Sequence, residues 1–117
     1  MRSTLGVIGE NTACAYLIDH GYRVVERNYR TRRGELDIIA RDGEWLVFVE
    51  VKTRKSLRYG LGAEAVTWRK QQHLIAAALS YLGTHPCRKC RFDVIEITMR
   101  ESNKPDIRHI KEAFGRN

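Results

Sequence analysis

With 117 residues and 13.6 kDa, the chain has the size of one domain (1–117), long enough to bury roughly two thirds of its unfolded surface. Its 43% hydrophobic and 30% charged residues exclude a disordered or collagen-like chain, and no apolar run approaches the ~20 residues that span a bilayer. Lys and Arg outnumber Asp and Glu by 21 to 14, and the resulting +7, carried mostly by arginine, favours a polyanionic partner.

The chain reaches Glu10 before any signal-like apolar stretch develops, which points to a cytoplasmic protein. Leu5 to His20 reads as a helix with Gly21 as its stop signal. Tyr22 to Arg30, rich in Val and Tyr, reads as a strand. Gly34 to Arg41 and Glu44 to Arg54 read as two more, with Asp42-Gly43 as the hairpin turn between them. Lys55 to Gly62 is a basic loop. A second helix begins between Glu64 and Thr67 and runs to about Leu82, with an apolar stripe of Leu74, Ile75, Ala78, Leu79 and Leu82. Trp68 at its start reads as a core or rim residue rather than one that stacks on bases. After a loop from Gly83 to Lys89, Arg91 to Met99 is a strand, and a short closing strand falls around Ile107 to Ile110. This order, αβββαβ plus a closing strand, predicts an α/β fold with a mixed sheet flanked by helices. Three cysteines, Cys14, Cys87 and Cys90, make a poor disulfide framework and fit a reducing compartment. The Cys87–Cys90 spacing reads as a loop carrying two thiols, since no second ligand pair completes a zinc site.

Strand alternation puts Glu35, Asp37 and Ile39 on one face, and Phe48, Glu50 and Lys52 on one face of the next strand. A two-residue turn at Asp42-Gly43 sets Glu35 opposite Glu50 and Asp37 opposite Phe48, with Asp37 diagonal to Glu50. Like charges so placed destabilise a hairpin, yet the flanking Ile38, Leu46, Val47, Val49 and Val51 are too apolar for a solvated face. Crowded, half-buried carboxylates take up protons or bind a cation, and Mg²⁺ prefers oxygen ligands of this kind. Lys52 beside them could orient a water or stabilise charge on a phosphate. Glu10 lies near the inward Ala13–Leu17 side of the first helix, either as a member of this site or as an exposed first-turn carboxylate.

The segment from Asp37 to Glu50-Val51-Lys52 resembles the D-(x)n-E-x-K core of the PD-(D/E)xK nuclease superfamily. More closely, the chain resembles the YraN family, uncharacterised bacterial protein family 0102. The blocks that carry the resemblance are Gly9-Glu10-Asn11-Thr12-Ala13, Gly21-Tyr22, Arg27-Asn28-Tyr29-Arg30, Gly34-Glu35-Leu36-Asp37, Phe48 to Arg54, Lys70, and Arg91-Phe92-Asp93-Val94. The resemblance implies a restriction-endonuclease-like fold, distantly similar to archaeal Holliday-junction resolvases. It implies Asp37 and Glu50 as Mg²⁺ (or Mn²⁺) ligands with the Val51 carbonyl beside them, Lys52 as the catalytic lysine, and Glu10 as the helix carboxylate. Glu35 and Lys70 would support them. The expected activity is Mg²⁺-dependent hydrolysis of phosphodiester bonds in DNA, with branched DNA as the substrate class. The alternative is a nucleic-acid-binding module on a nuclease fold that does not cleave. Arg27, Arg30, Arg32 and Arg33 before the acidic hairpin, and Arg54 and Arg58 after it, would grip the phosphate backbone without reading sequence. A two-fold homodimer would match paired strands.

Overall fold

A computed structural model of the chain describes residues 3–55, 66–100 and 104–115. The expected basic loop and Arg58 fall largely or wholly outside these residues. Seven elements follow one another: α1 (Thr4–Asp19), β1 (Arg23–Arg30), β2 (Glu35–Asp42), β3 (Trp45–Arg54), α2 (Trp68–Thr84), β4 (Cys90–Thr98) and β5 (Asp106–Phe114). The strands form one sheet in the order β1-β2-β3-β4-β5, antiparallel throughout except for the parallel β3–β4 pair. A parallel pair needs a crossover, and α2 supplies it. The result is the mixed α/β architecture expected of a restriction-endonuclease-like fold.

The two helices pack on opposite faces of the sheet. Ala13, Cys14 and Leu17 of α1 meet Ile38, Ala40, Val47, Val49, Ile95 and Ile97. Leu74, Ala77, Ala78 and Tyr81 of α2 meet Leu36, Ile39, Leu46 and Phe48. Strands β2 and β3 are thus apolar on both sides, as central strands must be. The inward face of α2 differs from the predicted stripe: Leu79 is 59% exposed, and Tyr81 takes the inner place between Tyr29 and Phe48. Two apolar bands run along this helix, and only the sheet decides which one is covered. Trp68 is no core residue; it is 73% exposed.

The β2–β3 hairpin turns at Gly43-Glu44, not at Asp42-Gly43. Asp42 instead pairs with Trp45, Ala40 with Val47, Ile39 with Phe48 and Ile38 with Val49. This register sets apolar side chains opposite apolar ones, where the predicted register set Asp37 against Phe48. Asp42 is also drawn into the strand end by Arg91, whose Nη2 lies 3.1 Å from its Oδ2. Strand β5 is longer than expected, because a bulge near Glu112 (φ 48°) lets pairing continue to Phe92↔Phe114. No helix of the described residues is long and apolar enough to cross a membrane.

Candidate metal-dependent active site

The site lies where β2 and β3 part. Their pairing stops at Ile38↔Val49, and one residue further along, the Asp37 carboxylate replaces a backbone acceptor. Its Oδ2 receives the Val51 N–H at 2.8 Å. Leu36 and Ile39 face the α2 side whereas Ile38 and Ala40 face the α1 side, so the simple alternation fails across Asp37. That break aims Asp37 into the gap between the strands, where it lines a cavity of about 280 Å³ with Glu10, Val51, Lys52, Thr53 and the first turn of α1.

Close packing brings α1 to this place. A Cβ on Gly9 would stand 1.8 Å from Thr53 Oγ1, so only glycine lets the helix lie against the end of β3. The next residue, Glu10, is 3% exposed, and the reading as an exposed first-turn carboxylate falls away. Its Oε1 accepts from Arg27 Nε (3.1 Å), Arg27 Nη2 (2.9 Å) and Asn28 Nδ2 (2.9 Å). Asn28 reaches it from a left-handed backbone conformation, φ 55°, that asparagine tolerates better than most residues. Sequence reasoning assigned Asn28 no role; its only signal was its place in the Arg27-Asn28-Tyr29-Arg30 block. Arg27, expected on a phosphate, already engages Glu10 and also Asn11 Oδ1 at 2.6 Å.

Glu50 is 5% exposed, and its Oε2 lies 3.7 Å from Lys52 Nζ and 3.5 Å from Lys70 Nζ. Lys70 reaches it from the first turn of α2, which Thr67 caps by accepting the Lys70 N–H at 3.1 Å. Glu35 does not join the group: it pairs with Arg30 across β1, Arg30 Nε to Glu35 Oε2 being 3.6 Å. Arg32 and Arg33 sit on the β1–β2 turn beside α2. Arg54 ends β3, where its carbonyl receives the Met99 N–H.

Burial first, and then the charge of Glu50, push the Asp37 carboxyl up to about 8 against the opposing pull of the Val51 N–H; a hydrogen bond shared with Glu50 adds to the rise. A carboxyl whose folded pKa is raised stabilises the fold fully below its ordinary 3.8, and that contribution is lost as pH climbs through about 8. The neutral Asp37→Asn variant should therefore gain on the wild type as pH rises. Urea titrations in chelator between about pH 4 and 9 measure the difference, and a flat gap would contradict the shared proton.

A pair of buried carboxyls that otherwise needs a proton fits a divalent cation, which offsets the same repulsion. Among the described residues no three His, Cys, Asp or Glu side chains converge as a ligand group. At this place Asp37 and Glu50 are the carboxylates that could ligate a cation. Mg²⁺ commonly binds in this way, through one or two carboxylates and several waters.

The sequence profile of the family described as "Uncharacterised protein family UPF0102" matches residues 9–97. A UPF0102 protein of Trichlorobacter lovleyi is 47% identical over 116 residues, covering 97% of this chain and 91% of its own. One from Rhodococcus jostii is 48% identical over 113 residues, with 94% and 95% covered. One from Chlorobium phaeobacteroides is 50% identical over 118 residues, with 94% and 92% covered.

Proposed function

The chain belongs to the uncharacterised protein family UPF0102, and we propose that it is a Mg²⁺-dependent endonuclease that hydrolyses phosphodiester bonds in DNA, branched DNA above all. The observation that carries this reading is the meeting of Asp37 and Glu50 at the gap between β2 and β3, with Lys52 and Glu10 lining the same cavity as Asp37. Two buried carboxyls whose charges repel cost stability unless a proton or a cation offsets them.

Asp37 and Glu50 would hold the cation, with Val51 at the same cavity wall. A bound Mg²⁺ supplies Lewis acidity toward the phosphate and lowers the pKa of water. The other contributions come from the chain's own groups. Lys52 Nζ, held within 3.7 Å of Glu50, would hydrogen-bond the attacking water or the charge developing on the phosphoryl oxygens. Glu10, fixed by Arg27 and Asn28, would order water in the cavity. Arg30, Arg32 and Arg33 follow β1 toward the same end of the sheet and would bind backbone phosphates. A two-fold dimer working on DNA in the cytoplasm would present two such sites to paired strands.

The test is incubation of the purified chain with labelled branched, flapped and linear DNA, with and without Mg²⁺ or Mn²⁺. Cleavage that needs the metal is expected. In parallel, millimolar Mg²⁺ should raise the unfolding temperature, since free metal at roughly 100 Kd adds about 2.7 kcal/mol to the folded state. An equal rise in the Asp37→Asn, Glu50→Gln double variant would place the metal elsewhere. DNA binding with no cleavage under any divalent metal would support a binding module on this fold instead.

A further inference from the structure

Beyond the carboxylate site lies a groove that the hydrolytic residues do not use. The β1–β2 turn leans on α2 so closely that a Cβ on Gly34 would come within 2.3 Å of the His73 carbonyl oxygen. This contact creates a depression of about 670 Å³ walled by Arg32 and Arg33 on one side and by Gln72, Ile75 and Leu79 of α2 on the other. Its lining contains two arginines and no carboxylate. Helical spacing puts Trp68 on one outward stripe with Gln72, Ile75 and Leu79, one turn N-terminal to the residues that line the groove. At 73% exposed it is the barest large apolar side chain among the described residues. The same first turn of α2 sends Lys70 inward to Glu50, on the opposite side of the helix.

We infer that this groove binds an unpaired DNA strand, with Trp68 stacking on a base and Arg32 and Arg33 holding the adjacent phosphates. Single-strand tracks combine those two features: a cationic wall for the backbone and an aromatic platform for the bases. A continuous duplex keeps its base faces covered and cannot offer one to Trp68. The inference rests on the nuclease reading for its choice of nucleic acid over an acidic peptide. It also narrows that reading: the substrate would carry an unpaired segment beside the scissile phosphate, passing over the N-terminal end of α2.

The chain has two tryptophans, so Trp45→Phe leaves Trp68 as the only one. In this background, and in chelator so that nothing is cut, tryptophan emission is followed during titration with a thymidine oligonucleotide of about 15 nucleotides. A fully paired linear duplex of the same length and a polyglutamate peptide are titrated in parallel. Strong quenching by the single strand is expected, with little from the duplex or the peptide. Trp68→Ala should weaken single-strand binding roughly tenfold or more, read by the anisotropy of a labelled strand, and Trp68→Phe should restore most of it. Arg32→Ala with Arg33→Ala should flatten the salt dependence of binding while leaving the quenching at saturation unchanged. Equal affinity of Trp68→Ala and its parent would overturn the inference. Preferential quenching by polyglutamate would do so too, as would emission that changes with protein concentration alone, which would assign the stripe to a second copy or an acidic protein. These readouts are independent of hydrolysis. A chain that binds as described yet never cuts removes the nuclease reading and keeps this one; a chain that cuts but ignores Trp68→Ala does the reverse.

Discussion

Lys52→Ala should lower the single-turnover rate of DNA cleavage by about 10²–10³, the cost of losing one transition-state contact of ~3–4 kcal/mol, and should scarcely change the affinity for DNA measured in Ca²⁺. The geometry separates the two effects. Lys52 lines the cavity with Asp37, whereas the arginines that would grip the backbone lie on the β1–β2 turn and beyond. The fold should tolerate the change, because Lys70 Nζ remains 3.5 Å from Glu50 Oε2 and keeps that buried carboxylate paired. Asp37→Asn should slow cleavage at least as much, since it removes a cation ligand. It should bind DNA in Ca²⁺ at least as tightly as the wild type, through reduced repulsion of phosphate. Single-turnover kinetics beside equilibrium binding for the three proteins make the comparison. Wild-type rates in both variants would trace any observed cleavage to a contaminant or another site.

The largest effect on stability is expected far from that cavity, at Asp93. This residue is 0% exposed in the middle of β4. Its Oδ1 accepts from Arg91 Nε at 3.0 Å and from the Glu112 N–H at 3.2 Å, and its Oδ2 lies 2.7 Å from His109 Nε2. His109 Nδ1 in turn meets Tyr16 OH at 3.2 Å, and Arg91 Nη2 reaches Tyr22 OH at 2.9 Å. One carboxylate thus joins β4 and the bulged β5 to α1 and to Tyr22. Burial acts to raise the pKa of Asp93, but the hydrogen bonds from His109 and Arg91 outweigh it and hold the carboxyl below its ordinary range. Asp93→Ala should cost about 3–5 kcal/mol, because it removes at once the acceptor of Arg91 Nε, His109 Nε2 and the Glu112 N–H from a fully buried place and leaves Arg91 with Asp42 as its one carboxylate partner among the described residues. The sign of the pH dependence follows from the lowered pKa. The stabilisation is complete above the unfolded-state value and is lost as pH falls through the folded one, so the gap between wild type and variant should close in acid. Chemical denaturation at neutral and acid pH measures it; a neutral-pH difference below about 1 kcal/mol would show that the surrounding bonds are redundant.

The Arg91-Phe92-Asp93-Val94 block, prominent in the sequence, thus has a structural explanation of its own. Its neighbours in the chain do not betray it. Asp93 is held by His109 and Glu112, which lie in a strand that sequence reading foresaw only in part.

What was legible in the residues was whatever depends on neighbours in the chain. Apolar periodicity and turn chemistry located the helices and strands, and the apolar flanks of Asp37 and Glu50 marked those carboxylates as out of place on a solvated face. Closeness of Glu10 to Ala13 and Leu17 on one helix face raised its burial as one of two readings, and the packing of α1 on the sheet decided for it. What only the tertiary structure decided depends on elements distant in sequence. The hairpin register followed the pairing of Ile39 with Phe48 and the pull of Arg91 on Asp42, not the Asp-Gly turn signal alone. Strand alternation set both Glu35 and Asp37 beside Glu50; the parting of β2 and β3 kept Asp37 there and left Glu35 to Arg30. Arg27 and Asn28 came to Glu10 because Gly9 lets α1 sit on Thr53. Of the two apolar bands on α2, the sheet covered one and left Trp68 and Leu79 outside, because a helix can bury one face against a single layer and local sequence does not say which.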